Sequence, residues 1–149
     1  MSFSAADGDD RAAIADLYAR YCWALSVHDW DAIDALVLPD ARIDATAFGG
    51  PCLAWPEFKA FLADFMSDAQ SFYTPTGLVV DFASGAADAK AGFVANLSFS
   101  TPDGGRLEIS EGGWFLDSLT KTGDGWRVAG RVEKCGFQTA VPHAAPASQ

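Results

Sequence analysis

Two tyrosines, Tyr18 and Tyr21, lie one helical turn apart in a stretch whose apolar residues have helical spacing. A phenol keeps its proton near neutral pH, so either hydroxyl could donate a hydrogen bond to a ligand oxygen and stabilise negative charge there. The alternative for each tyrosine is core packing with a hydrogen-bonded hydroxyl. The pair therefore predicts either donors to a ligand or buried amphipathic rings.

Three carboxylates lie in segments with the alternation of β-strands. Asp44 would serve as a base if it were buried among aromatic rings, where its pKa would rise, and would only aid solubility if it faced solvent. Glu108 and Glu111 precede Gly112 and Gly113, where a β-bulge could turn one of the two carboxylates into the interior. Glu111 is the candidate we assign to the site.

Other polar residues of the predicted strands could contact a ligand. Asn96 and Ser98 share one strand face and could bind its polar end. Arg131 could anchor a carboxylate, although a surface ion pair is expected for it in so acidic a chain.

Changes in apolar periodicity predict the elements that carry these residues. Residues 1–8 are expected to be a flexible start, after which Asp9 or Asp10 caps the first helix and Asp29 caps the second. Pro56 suits the first turn of a third helix. After residue 69 the period becomes two, as in strands. The predicted helices cover residues 9–26, 30–37 and 56–69, and the predicted strands cover residues 41–48, 72–84, 89–101, 106–121 and 126–138.

Large apolar side chains at helical spacing mark the third helix as a cover for the interior. They are expected to form lid and core and so to decide what fits inside. The members assigned to ligand contact are Trp55, Phe58, Phe61, Leu62 and Phe65.

Helices followed by a long antiparallel meander are typical of an α+β fold. We expect one domain over residues 9–140, with a curved antiparallel sheet forming a half-barrel against about three N-terminal helices, and a flexible tail over residues 141–149. Glycines in the strands permit the sheet to bend. A bent sheet encloses an interior that would accept a mostly apolar small molecule.

Composition excludes several classes of function. The chain has 149 residues, a formal charge of −10 and a pI near 4.3. So acidic a surface repels phosphate backbones and anionic lipids, so neither nucleic acid nor a membrane is an expected partner. Three widely spaced cysteines fit free thiols in a reducing cytoplasm, which is the expected location.

Metal and nucleotide cofactors have no support in the sequence. His28 and His143 are its only imidazoles, and no CxxC motif occurs, so no metal site is predicted. No GxGxxG motif follows a strand and no phosphate-binding Gly-Lys loop is present, so no cofactor is predicted.

Several segments, in their order along the chain, resemble SnoaL-like (scytalone-dehydratase-like) proteins of the nuclear-transport-factor-2-like superfamily, whose cone-shaped fold is also called cystatin-like. The resemblance covers residues 9–138. Its motifs are YARYCWAL at 18–25, HDWDA at 28–32, LPDA at 38–41, GWFLDSL at 113–119 and DGWRVAGR at 124–131.

The resemblance also implies where catalytic groups should lie. Dehydratases and the dehydrochlorinase of this family are similar in using an Asp on the first helix and a His on the first strand of the meander. The matching positions here hold Ser26 and Tyr73, so the Asp–His dyad is absent. Tyr73 is then a candidate acid or donor in the pocket, or an aromatic residue that fills the space of the His.

Ketosteroid isomerase, of the same superfamily, supplies a second template. Its oxyanion-binding Tyr corresponds to Tyr21, and its Asp base falls at Ala45, next to Asp44. Simple alternation turns Asp44 to the opposite side from Ala45, and only a one-residue bulge would bring it inward.

The leading hypothesis is a cofactor-independent lyase or isomerase of dehydratase, cyclase or ketosteroid-isomerase type that acts on a small, apolar, oxygenated metabolite. Tyr73 and Tyr21 would bind the oxyanion, with Asp44, Glu108 or Glu111 as the base. The alternatives are a non-catalytic binding or assembly domain and the small subunit of an aromatic-ring oxygenase. A homodimer or homotrimer is expected, because an exposed apolar sheet face favours coverage by a second copy.

Overall fold

A long first helix lies against the sheet in the computed structural model, which describes residues 5–147, with side chains from Gly8 onward. Helix α1 covers Ala5–Val27 and buries the side predicted from its spacing, Tyr18 and Tyr21 included. It begins at Ala5, four residues before Asp9, so the helix starts earlier than predicted. Ala5 and Ala6 favour helix, which extends the pattern backwards. Residues 1–4 lie outside the described part of the chain.

The second helix is shorter than predicted. Helix α2 covers Trp30–Ile33, and Asp29 caps it as expected, its carboxylate accepting from the Ala32 N–H. Residues 34–36 form a turn, and strand β1, Val37–Asp44, begins at the last residue of the predicted helix. The reason is tertiary, because Val128 of the last strand donates its N–H to the Leu36 carbonyl and β1 continues beside that strand in parallel.

A short connection leads from β1 to the third helix. It contains a 3₁₀ turn at Thr46–Phe48 and strand β2 at Cys52–Ala54. Helix α3 covers Trp55–Phe65, with Pro56 in its first turn, and ends earlier than the predicted residue 69.

Four long strands complete a six-stranded sheet in the order β2-β1-β6-β5-β4-β3, antiparallel except where β1 meets β6. The predicted meander and the α+β class are therefore confirmed. Strand β6 extends five residues past the predicted 138, so residues 141–143 of the expected tail pair with β5. The four strands are β3 at Gln70–Ala83, β4 at Ala86–Ser100, β5 at Arg106–Thr122 and β6 at Gly125–His143.

The sheet bends between β5 and β6 near two glycines. Gly112 pairs with Phe137 and Gly113 with Cys135, so Gly136 is an extra residue in β6. A side chain at Gly113 could not be accommodated, because its Cβ would lie 2.0 Å from the Lys134 carbonyl oxygen. The bend therefore depends on glycine, and it curves the sheet around the helices.

Large apolar residues remain exposed on the outer face of the sheet. Phe72, Val79, Trp114 and Val132 are each at least two-fifths exposed, and each alternates with an inward neighbour. Coverage of this face by a second copy stays a prediction. Within residues 5–147, no helix is long and apolar enough to cross a membrane.

Candidate functional site

A cavity of about 260 Å³ lies between α3 and the concave face of the sheet. Its wall is mostly aromatic and aliphatic, and four side chains with polar groups interrupt it. A narrow inner extension of about 40 Å³ reaches Tyr21 on α1 and shares Tyr73 with the main cavity. The aromatic wall comprises Phe48, Phe58, Phe61 and Phe65, and the polar-bearing residues are Tyr73, Glu111, Glu133 and Gln138.

Two phenols line this space, Tyr21 from α1 and Tyr73 from β3. Tyr21 is 2% exposed, and within residues 5–147 its hydroxyl has no hydrogen-bond partner. Burial raises the pKa of Tyr21 to about 12, although the nearby Arg131 opposes the rise. Burial, together with the charges of Glu111 and Glu133, raises the pKa of Tyr73 well above its ordinary value. Both phenols therefore keep their protons and can donate to a ligand oxygen.

Glu133 on β6 is a carboxyl whose pKa lies near neutrality. Burial raises its pKa to about 7, and the negative charges of Glu111, Asp117 and Asp44 add to the rise while Arg131 opposes it. Its side chain lines the main cavity and the inner extension. At neutral pH this carboxyl divides between a protonated acid and an ionised base, as a proton-transfer group requires.

Glu111 on β5 is the second carboxyl that lines the cavity. Burial raises its pKa, and a hydrogen bond donated by the Gln138 amide at 2.8 Å partly offsets the rise. The bulge at Gly136 lies in β6 and not in β5. It therefore changes the phase of β6 and turns Gln138 toward Glu111, whereas Glu111 is already in phase with the inward residues of its own strand.

A buried ion pair lies beside the inner end of the cavity. Arg131 and Asp117 form two hydrogen bonds of 2.8 Å, and both side chains are fully buried. The Tyr18 hydroxyl donates to the same Asp117 at 2.7 Å. The guanidinium carbon of Arg131 lies 4.3 Å from the centre of the Tyr21 ring and 3.8 Å from that of Phe115. Arg131 is thus an interior cation, and the expected surface ion pair is wrong.

Three candidates from the sequence lie away from the cavity. Asp44 accepts from the Thr46 N–H at 3.0 Å and from its hydroxyl at 2.6 Å, and these bonds lower its pKa. The strand ends at Asp44 without the bulge that would turn it inward, and Ala45 lines the cavity in its place. Tyr18 is held by Asp117, and Trp55 donates its indole N–H to Asp34 at 2.8 Å.

Asn96 and Ser98 lie on the outer face of the sheet. Asn96 accepts a hydrogen bond from the Ser110 hydroxyl, and Ser98 accepts one from Arg106. The inward residues of this strand are their buried neighbours, because side chains alternate. The four α3 residues Phe58, Phe61, Leu62 and Phe65 line the cavity, and their contact with a ligand stays a prediction.

The two positions that resemblance assigned to the catalytic dyad do meet. The Ser26 hydroxyl accepts from the backbone N–H of Tyr73 at 2.8 Å. This hydroxyl also donates to the Cys22 carbonyl at 2.8 Å, so it fixes the end of α1 against β3. Neither residue is a base near neutral pH, and the carboxyls that line the cavity lie on β5 and β6.

Glu133 and Gln138 were not identified as site residues from the sequence. Glu133 lies two residues after Arg131, on the same face of β6, and pairs with the buried Phe115 of the neighbouring strand. With Arg131 facing inward, alternation along the strand would have placed Glu133 inward as well. Because Arg131 was expected at the surface, Glu133 was expected there too. Gln138 could not be found by alternation, because the extra residue Gly136 lies between it and Glu133.

Comparisons with known proteins agree with this architecture. A family model described as the SnoaL-like domain matches residues 7–132. An uncharacterised protein of Mycobacterium tuberculosis is 29% identical over 136 residues, which is 91% of each chain.

Solved structures show the shared fold. A protein of Novosphingobium aromaticivorans, provisionally assigned as a scytalone dehydratase, superposes with a TM-score of 0.76 at 17% identity, covering 93% of each chain. A type 2 hexachlorocyclohexane dehydrochlorinase superposes with a TM-score of 0.72 at 15% identity, again covering 93% of each chain.

Proposed function

The chain belongs to the SnoaL-like domain family, and on that premise we propose that it is an enzyme of the lyase or isomerase type. It moves a proton on a small, apolar, oxygenated molecule held in the cavity, without a bound cofactor. The observation that carries the proposal is that Glu133, with a pKa near neutrality, lines the same inner space as the phenols of Tyr21 and Tyr73.

The proposed reaction begins with the carbonyl oxygen of the substrate against the two phenols. The ionised Glu133 removes a proton from the carbon next to that carbonyl, and the C–H electron pair forms an enolate. Hydrogen bonds from Tyr21 and Tyr73 stabilise the negative oxygen. Glu133, now a carboxylic acid, returns the proton at another carbon in an isomerase, or protonates a departing group in a lyase.

Burial supports this assignment of roles. A carboxyl with an ordinary pKa would be a weak base at neutral pH. The pKa of about 7 for Glu133 lies near the working pH, where a general base is most effective. The pKa values of the tyrosines are raised, so they remain donors while the base is ionised. The surroundings of the three side chains thus set their pKa values apart, so that Glu133 serves as the base and the two tyrosines as hydrogen-bond donors.

The comparisons support the class of reaction and not the base. Dehydrochlorination, named for one of the neighbours, is an elimination that removes a proton and a halide. Here the dyad positions hold Ser26 and Tyr73, so we assign proton removal to a carboxyl from the opposite side of the cavity.

Volume limits the substrate. About 260 Å³ is slightly below the range of typical ligand sites. An apolar cavity of roughly 150 Å³ holds benzene. The cavity therefore suits a molecule of one or two rings, and 2-tetralone, a neutral two-ring ketone with acidic C–H bonds beside its carbonyl, is a suitable probe.

We expect the protein to accelerate deuterium exchange into 2-tetralone in D₂O, measured by proton NMR. Tyr73→Phe should lower that acceleration about tenfold or more, because one donor to the enolate oxygen is lost. Tyr18→Phe is the matched control, since it removes a phenol bound to Asp117 outside the cavity.

Two outcomes would count against the assignment. Exchange that Tyr73→Phe leaves unchanged would remove this phenol from the mechanism. Binding of 2-tetralone with exchange no faster than in buffer would instead support a binding domain that has lost the ancestral dyad.

A further inference from the structure

The cavity wall carries negative charge without a compensating cation. Among the described residues that line it, two are carboxyls, Glu111 and Glu133, and none is Lys, Arg or His. The nearest buried cation, Arg131, does not line this wall and forms two hydrogen bonds with Asp117, and its charge offsets only part of the rise in the pKa of Glu133. An anionic ligand would therefore meet repulsion with no partner for its charge.

Aromatic side chains form much of the remaining wall. Phe58 and Phe61 lie 5.8 Å apart between ring centres, and Phe61 and Phe65 lie 5.5 Å apart. Phe48 completes this side of the cavity. The face of an aromatic ring is electrostatically negative, so rings that surround a ligand attract a cation while they still accept an apolar frame.

The inner extension of the cavity favours a hydrogen-bond acceptor rather than a cation. The Tyr21 side chain is 2% exposed and lines the inner extension, and its hydroxyl forms no hydrogen bond within residues 5–147. A phenol hydroxyl at a cavity wall that forms no hydrogen bond with the protein is free to donate one to a ligand atom there. Because this phenol keeps its proton, it can donate a hydrogen bond to an acceptor of the ligand, such as a carbonyl oxygen.

We propose that the ligand of this cavity is an organic cation, an apolar frame of one or two rings that bears a protonated amine beside Glu111 and an acceptor oxygen at Tyr21. The inference rests on the proposed function for the position of the reacting carbon, next to Glu133. It adds that the site prefers amines to neutral isosteres and rejects carboxylates.

Proton affinity in the empty cavity supports the same assignment. Burial raises the pKa of Glu133 to about 7, so a proton occupies part of this site at neutral pH, and burial raises the pKa of Glu111 in the same direction. Glu133 also faces the charges of Arg131, Asp117 and Asp44. An incoming ammonium stabilises the ionised carboxylates, so its binding expels a proton, whereas a neutral ligand leaves the proton in place.

Calorimetry at pH 7 with three ligands on one frame tests the inference: 2-aminoindane, 2-indanol and indane-2-carboxylic acid. Measuring each in phosphate and in Tris, whose ionisation enthalpies differ, counts the protons released. We expect the amine to bind at least about tenfold tighter than the alcohol, with net proton release, and the carboxylate to show no binding. Glu111→Gln should remove most of the preference for the amine, whereas Glu108→Gln, at an exposed position of the same strand, should retain it.

Equal or tighter binding of the alcohol, or amine binding without proton release, would overturn the inference. Deuterium exchange into the neutral 2-tetralone separates this failure from failure of the proposed function. Exchange without amine preference would overturn the ligand class alone, and amine preference without exchange would retain the ligand class and remove the catalytic role.

Discussion

Glu133→Gln should lower the protein-catalysed deuterium exchange of 2-tetralone at least about hundredfold, the usual contribution of a positioned general base. The amide keeps the shape of the side chain but cannot accept a proton. Exchange by the unaltered protein should increase as pH rises through about 7, because Glu133 then loses its proton and becomes the active base. In the variant that pH dependence should disappear along with the rate.

Two controls make this result specific. Glu108→Gln removes an exposed carboxyl of β5 and should leave the exchange unchanged. Binding of 2-tetralone to Glu133→Gln, measured by calorimetry, should stay within a few-fold of the original, because an uncharged ligand makes no ion pair with this carboxyl. Undiminished exchange in Glu133→Gln would exclude this residue as the base, and Glu111→Gln would then show whether the other carboxyl serves.

Asp117→Asn should destabilise the fold by about 3–5 kcal/mol, the usual loss when one partner of a buried ion pair is removed. The change leaves the fully buried guanidinium of Arg131 without its counter-charge, and its Nη1 already lacks a partner within the described chain. The Tyr18 hydroxyl also loses its charged acceptor. Urea unfolding followed by tryptophan fluorescence measures the loss in the free energy of unfolding. In thermal unfolding, the same loss should lower the melting temperature by roughly 10 °C.

Asp124→Asn is the matched control, because Asp124 pairs with Arg127 at 3.8 Å on the surface. Exposed pairs of this kind contribute little, so this variant should unfold as the original does. Replacing both Asp117 and Arg131 with apolar residues should restore part of the lost stability. Equal unfolding curves for Asp117→Asn and Asp124→Asn would contradict the burial of the ion pair.

Local patterns predicted much of the fold because each element has its own signal. Helical spacing marked the buried side of α1, and alternation marked the four long strands. The end of α2 could not be predicted locally, since the pairing of β1 with β6 decides it. The start of α1 was missed because residues before a capping Asp were assumed to lie outside the helix.

The candidate site was predicted less completely because it depends on strand phase. Tyr21, Tyr73 and Glu111 were assigned from the helix spacing, the family resemblance and the glycine pair, and all three line the cavity. Asp44 was a mid-strand carboxylate only in sequence, since the strand ends there and Thr46 binds its side chain. Assigning Glu133 to the site required knowing that Arg131 points inward. That orientation follows from the contact of Arg131 with Asp117 and not from the sequence near it.

Carbon-13 NMR of glutamate carboxyls, recorded as a function of pH, tests most directly whether the cavity holds a carboxyl poised for proton transfer. Loss of one resonance in Glu133→Gln assigns the signal. The titration midpoint of Glu133 should lie at about 7, well above the ordinary glutamate value of 4.5. A midpoint near 4.5 would contradict the account, because the carboxyl would then be fully ionised at neutral pH and too weak a base for the proposed reaction.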